Sequence, residues 1–99
     1  MAEKDFLDRV RQYARLRGWE HVYHSWASIH SPRGFPDLFM IRDGRALAIE
    51  LKSGKNQPTE PQADWIDALN AVPGITAFVA WECDEERIRA LLDGVETLG

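Results

Sequence analysis

The segment DLFMIRDGRALAIELK, Asp37 to Lys52, constrains this chain most. Two runs rich in apolar residues flank Asp43-Gly44, and Asp-Gly between such runs is the strongest short-range hairpin signal. A two-residue loop there sets Arg42 against Arg45, Ile41 against Ala46, Phe39 against Ala48 and Asp37 against Glu50. Residues directly opposite share a face, with Cβ atoms roughly 4.5–5.5 Å apart. Lys52 lies two positions beyond Glu50 and therefore on the same face. Two carboxylates and an ammonium thus fall together in strands that otherwise read as buried.

Like charges directly opposite one another destabilise a sheet, so something must offset them. Lys52 offsets part. A divalent cation does so more fully, because two carboxylates with water and a carbonyl suit Mg²⁺. The backbone carbonyl of Leu51 is placed to be a further oxygen ligand. A cation held so polarises phosphate and acidifies bound water. Lys52 would then orient the attacking water or meet charge growing on phosphoryl oxygens. The plainer reading is a solvated strand face for Glu-x-Lys and a simple turn for Pro36-Asp37. Their convergence on one face favours the functional reading.

The remaining elements follow from pattern. DFLDRVRQYARLRG reads as a helix, with Phe6, Leu7, Val10, Tyr13 and Ala14 at helical spacing and Gly18 as its stop. WEHVYHSWASI is a candidate first strand. Thr59 with Gln62 forms a capping box for a helix to about Ala71, its inner stripe Ala63, Ile66 and Leu69. Pro73-Gly74 turns the chain into the strand ITAFVAW. Asp84 caps a last helix with Ile88, Leu91 and Leu92 inward. The order is α-β-β-β-α-β-α. The last three strands are apolar on both sides, so helices are expected on both faces of a mixed sheet.

Ninety-nine residues at 44% hydrophobic suit one domain, expected over 1–99. No apolar run spans a membrane, and MAEKDFLDRV lacks the apolar segment of a secretory signal. Cys83 is the single cysteine, which rules out an internal disulfide and fits a reducing, cytoplasmic setting. The net charge of −4 divides unevenly: residues 1–55 hold ten Lys/Arg and seven Asp/Glu, and residues 56–99 hold two and nine. The first part is the face expected to meet phosphate.

These residues resemble the PD-(D/E)XK nuclease superfamily. Pro36-Asp37 is similar to its first acidic motif and Glu50-Leu51-Lys52 to its second. More closely, the chain looks like a stand-alone VRR-NUC domain. Glu3 opening the first helix, ARLRGW, YHSWAS, SPRGFPDL, IELKSGKNQPTEPQADWIDAL and a closing strand ending in Trp81 carry that likeness. The resemblance implies a PD-(D/E)XK-type α-β-β-β-α-β core with an added C-terminal helix. It implies an endonuclease dependent on Mg²⁺ or Mn²⁺ that hydrolyses DNA phosphodiesters, is selective for branched DNA as a Holliday-junction resolvase is, and works as a homodimer. Asp37 and Glu50 match the metal ligands and Lys52 the catalytic lysine. Glu3 matches an acid that joins the metal site in many relatives, though it also suits a helix N-terminus. Gln62 matches a glutamine following the motif, though it also completes the capping box. His24, Arg33, Lys55 and Lys4 are candidate phosphate contacts, with ordinary strand-face or surface roles as the alternative. Trp19, Trp26 and Trp65 are candidates for a dimer interface or for the core. Other readings are a flap or single-strand nuclease, a nickase, or a non-catalytic DNA-binding module with this fold.

Overall fold

The structure, a computed structural model of the chain, describes residues 2–19, 21–24 and 34–94. Its elements run α1 (Ala2–Leu16), β1 (His21–His24), β2 (Leu38–Arg42), β3 (Arg45–Lys52), α2 (Glu60–Asn70), β4 (Ile75–Trp81), a 3₁₀ turn (Glu82–Asp84) and α3 (Glu85–Asp93). The sheet order is β1-β2-β3-β4. The first three strands are antiparallel and β4 joins β3 in parallel, so the sheet is mixed as expected.

The hairpin register is the one the Asp-Gly turn dictates: Arg42 opposes Arg45, Ile41 opposes Ala46 and Phe39 opposes Ala48. Asp43 adopts φ 53° and Gly44 φ 76°, the left-handed pair that such a turn requires. The ladder ends at Leu38–Ile49. Asp37 stands one residue outside it.

One face of the sheet carries the core. Leu38, Met40, Leu47, Ile49 and Leu51 pack with Phe6, Val10 and Ala14 of α1 and Ile88 and Leu92 of α3. Helix α1 ends in a Schellman motif: Gly18 N–H donates to Arg15 O, Trp19 N–H donates to Ala14 O, and Gly18 has φ 90°. Trp19 therefore belongs to the helix end and not to the first strand. Its ring is buried and its Nε1–H donates to Leu92 O at 3.0 Å. That position removes Trp19 from the candidates for a dimer interface. Trp26, and residues 25–29 of the expected strand, lie outside the described residues.

The opposite face is covered by α2 over β4 and part of β3. The capping box forms as expected, with Thr59 N–H donating to Gln62 Oε1 and Gln62 N–H to Thr59 Oγ1. Ala63, Ile66 and Leu69 are half-buried, and α2 has no fully buried residue. Among the described residues, α2 lies over β4 and the adjoining part of β3, and the β1–β2 side of this face is partly exposed. Ile41 is 42% exposed and Tyr23 53%. Helices thus lie on both faces of the sheet as expected, with the cover of β2 partial: Phe39 is half-buried and Ile41 exposed.

The Asp84 cap also differs. Its carboxylate accepts from Trp81 N–H at 2.9 Å and makes no side-chain cap to α3. Asp84 stands at the N-cap position of α3 as expected, and its side chain serves the 3₁₀ turn instead.

Candidate metal centre

Pro36 is fully buried and fixes the entry to β2, so Asp37 leaves the loop at the end of the hairpin. Gly34 makes that entry close. It has φ 87°, and a Cβ there would lie 2.6 Å from the Pro61 carbonyl carbon. The loop bearing Asp37 is thereby pressed onto the first turn of α2.

Asp37 Oδ2 accepts from the Leu51 backbone N–H at 2.9 Å. The strand pairing is thus continued by a side chain where the backbone ladder stops. Leu51 contributes to the site through its amide. That contact ties the two acidic motifs together, and nothing in the residue spacing announces it.

Glu50 lies in the middle of the buried strand β3 and is 3% exposed. Its Oε2 meets Lys52 Nζ at 3.2 Å, and the Lys52 side chain is itself 12% exposed. Its Oε1 is buried and has no hydrogen-bond partner among the described residues. Burial, and next the negative charge of Asp37, push the Glu50 carboxyl up to about 7, while Lys52 opposes the shift. A buried carboxylate with an open oxygen beside a second carboxylate fits a cation's demand for oxygen donors. Among the described residues no group of three or more His, Cys, Asp or Glu gathers for a metal. The donor set here is a pair of carboxylates, and Mg²⁺ characteristically takes one or two and completes its shell with water and substrate phosphate.

The other expected site residues divide. His24 pairs with Leu38, one residue from Asp37, and is half-buried. Burial and the Arg11 charge lower its pKa, and the charges of Asp37 and Asp8 act against them. Sharing Leu38's side, it turns toward the α1 layer, not toward the carboxylate face. Lys4 is highly exposed and lies 3.9 Å from Asp8 on its own helix. Lys55 is exposed in the loop after β3. Gln62 holds its capping-box bonds. Glu3 lies in the first turn of α1, but its side chain, like all of Arg33, is outside what the structure describes.

Trp81 was not among the expected site residues. It pairs with Lys52 across the parallel ladder, and its Nε1–H donates to Asn56 O at 2.9 Å. The indole thus anchors the loop that follows Lys52. Its place at the end of the last strand was the available signal.

No protein-family model matches the chain, and no curated protein does. A solved structure described as a VRR_NUC domain protein aligns with 100% of this chain and 98% of its own, at 24% identity and a TM-score of 0.70. This chain has the VRR-NUC fold. The order of strands and helices, the mixed sheet and the helical layers are those expected of that fold. In the described part of the VRR-NUC fold no helix is long and apolar enough to cross a membrane.

Proposed function

We propose that the chain is a metal-dependent endonuclease that hydrolyses DNA phosphodiester bonds, with Asp37 and Glu50 holding Mg²⁺ or Mn²⁺. The observation that carries this reading is the buried Glu50, its Oε1 open, beside Asp37 and in contact with Lys52. A solvated strand face would not bury such a pair. The likeness to a VRR_NUC domain protein supports the same reading.

The cation would supply charge to polarise the phosphate and acidify a bound water. Asp37 is oriented by the Leu51 N–H, so its carboxylate is fixed before any cation arrives. Glu50 offers Oε1 and keeps Oε2 on Lys52. The ammonium of Lys52 has donors to spare, for an attacking water or a phosphoryl oxygen. The Leu51 carbonyl remains a proposed further ligand, and Glu3 a second.

Selectivity for branched DNA and action as a homodimer belong to the same proposal. Two cuts are needed to resolve a four-way junction, and a single carboxylate pair makes one. Cleavage of labelled hairpin, flap, fork and four-way substrates, with Mg²⁺, Mn²⁺ or EDTA, tests the reading. Metal-dependent cutting of the four-way substrate is the expected result. Absence of hydrolysis on every substrate in both metals would overturn the reading.

A further inference from the structure

Among the described residues, the exposed part of the sheet lies on the same face as the carboxylates. Residues directly opposite in an antiparallel pair share a face. Tyr23 opposes Phe39, His21 opposes Ile41, and Phe39 and Ile41 alternate in step with Asp37. Tyr23 is 53% exposed and Ile41 42%. The aromatic surface extends toward α2: the Phe39 and Phe35 ring centroids are 6.1 Å apart, and Phe35 meets Trp65 edge-on at 5.0 Å. Phe35 and Phe39 stand two residues to either side of Asp37. Three rings, Trp65, Phe35 and Phe39, thus run from α2 past Asp37, and Tyr23, opposite Phe39 in the ladder, carries the aromatic surface on to an exposed position.

We infer that this row is a stacking shelf, and that Tyr23 receives an unpaired nucleobase next to the phosphate held at Asp37 and Glu50. The choice of ligand rests on the nuclease reading. Phe39 and its partner Tyr23 lie about 7 Å along the strand from Asp37. That is within reach of the sugar and base attached to a phosphate bound there. Exposed aromatic rings on a sheet face bind single-stranded nucleic acid because every base presents a π-face. A base inside a duplex cannot reach the shelf, since both of its faces are already stacked. The shelf therefore selects DNA whose stacking is broken beside the cut, which a branch point or a single strand offers and a continuous duplex does not. A second copy of the chain is a poorer occupant. The open patch spans two short strands, on the order of 10 by 14 Å, against about 800 Å² per partner in a stable interface.

The test uses a single-stranded oligonucleotide containing 2-aminopurine, whose fluorescence is quenched by stacking, and a fully paired duplex of the same sequence. Binding is measured in Ca²⁺, and hydrolysis separately in Mg²⁺ and Mn²⁺. Wild type and Tyr23→Phe should quench the probe. Tyr23→Leu, which keeps apolar bulk and loses the ring, should abolish the quench and weaken single-strand binding roughly five- to a hundredfold. Duplex binding should change less than about twofold, as expected for phosphate contacts alone. If Tyr23→Leu fails to fold by circular dichroism, Tyr23→Ser takes its place, with the same expectation. Equal weakening on single strand and duplex, or an unchanged quench, would overturn the shelf. So would a change in molecular mass on substitution, which would assign the patch to a second copy. Quenching by a wild type that hydrolyses nothing would support the shelf and count against the nuclease reading alone. Hydrolysis by a wild type with no quench would do the reverse.

Discussion

Glu50 sits where both its burial and its neighbour Asp37 oppose its charge. Its carboxyl is raised from an ordinary 4.5 to about 7. Such a group favours the folded state fully below about pH 4.5, and that stability is lost as pH rises through 7. The loss amounts to ~3 kcal/mol, at 1.36 kcal/mol per pK unit. In metal-free buffer the urea midpoint of the wild type should therefore fall between pH 5 and pH 8. Glu50→Gln should flatten that dependence and bind no Mn²⁺. Adding Mn²⁺ at pH 8 should restore the wild-type midpoint and leave the variant unchanged. An unchanged wild-type midpoint across this range would contradict the burial of a charged Glu50. Lys52 acts on the other side of the pair. As a cation it cannot ligate metal, so Lys52→Ala should keep Mn²⁺ binding by calorimetry and lose cleavage roughly a hundred- to a thousandfold. Loss within about threefold would reduce Lys52 to a counter-charge. The pairing of these residues was legible in the sequence because the Asp-Gly turn fixes register, and register fixes faces. The Asp37–Leu51 bond was not legible. It depends on the ladder stopping one residue early, which no periodicity encodes.

At the scale of elements, the strands and helices were readable and their ends were not. Trp19 has the composition of a strand residue, yet the Gly18 reversal places it under α1 and α3. Asp84 has the chemistry of a helix cap, yet it closes the 3₁₀ turn on Trp81. Both outcomes were decided by tertiary neighbours that local pattern does not contain. Gly34 shows the same dependence. With φ 87° and Pro61 2.6 Å from a built Cβ, Gly34→Ala should cost at least ~2 kcal/mol. It should also slow cleavage, because the loop that moves carries Asp37. A shared drop in thermal midpoint and rate is expected, and an unchanged midpoint would contradict the close approach. The outer side of β4 offers a second test. Asn70 donates through Nδ2 to Ala77 O at 2.7 Å and accepts from Ala77 N–H through Oδ1 at 2.8 Å. Val72 O accepts from Ile75 N–H, and Asp84 accepts from Trp81 N–H. These contacts occupy backbone groups that an edge strand otherwise offers to another chain. Asn70→Ala should cost about 1–3 kcal/mol and raise self-association measured by light scattering. Unchanged stability and mass would show that the side-chain clamp is incidental.

For the whole molecule, charge is the puzzle that a DNA ligand raises. The chain carries −4 in total, with +3 over residues 1–55 and −7 over residues 56–99. Polyanionic DNA is attracted by basic surface, and each neutralised phosphate adds to affinity. The acidic pair at the proposed cutting site repels the very phosphate it is proposed to process. Helices α2 and α3, which carry most of the acids of the second part, cannot compensate, since Glu60, Asp64, Asp67, Glu82, Glu85 and Glu86 lie there or at their entry. In the proposed nuclease, divalent cation would serve binding as well as chemistry, by reversing the sign of charge where the backbone comes closest. Binding of a labelled four-way substrate should be much weaker in EDTA than in Ca²⁺ at the same ionic strength. Asp37→Asn removes a repelling charge without changing shape. In EDTA that variant should bind DNA more tightly than wild type, and in Ca²⁺ it should lose most of the wild type's gain. A wild type that binds equally well with and without divalent cation would place the phosphate contact elsewhere on the molecule.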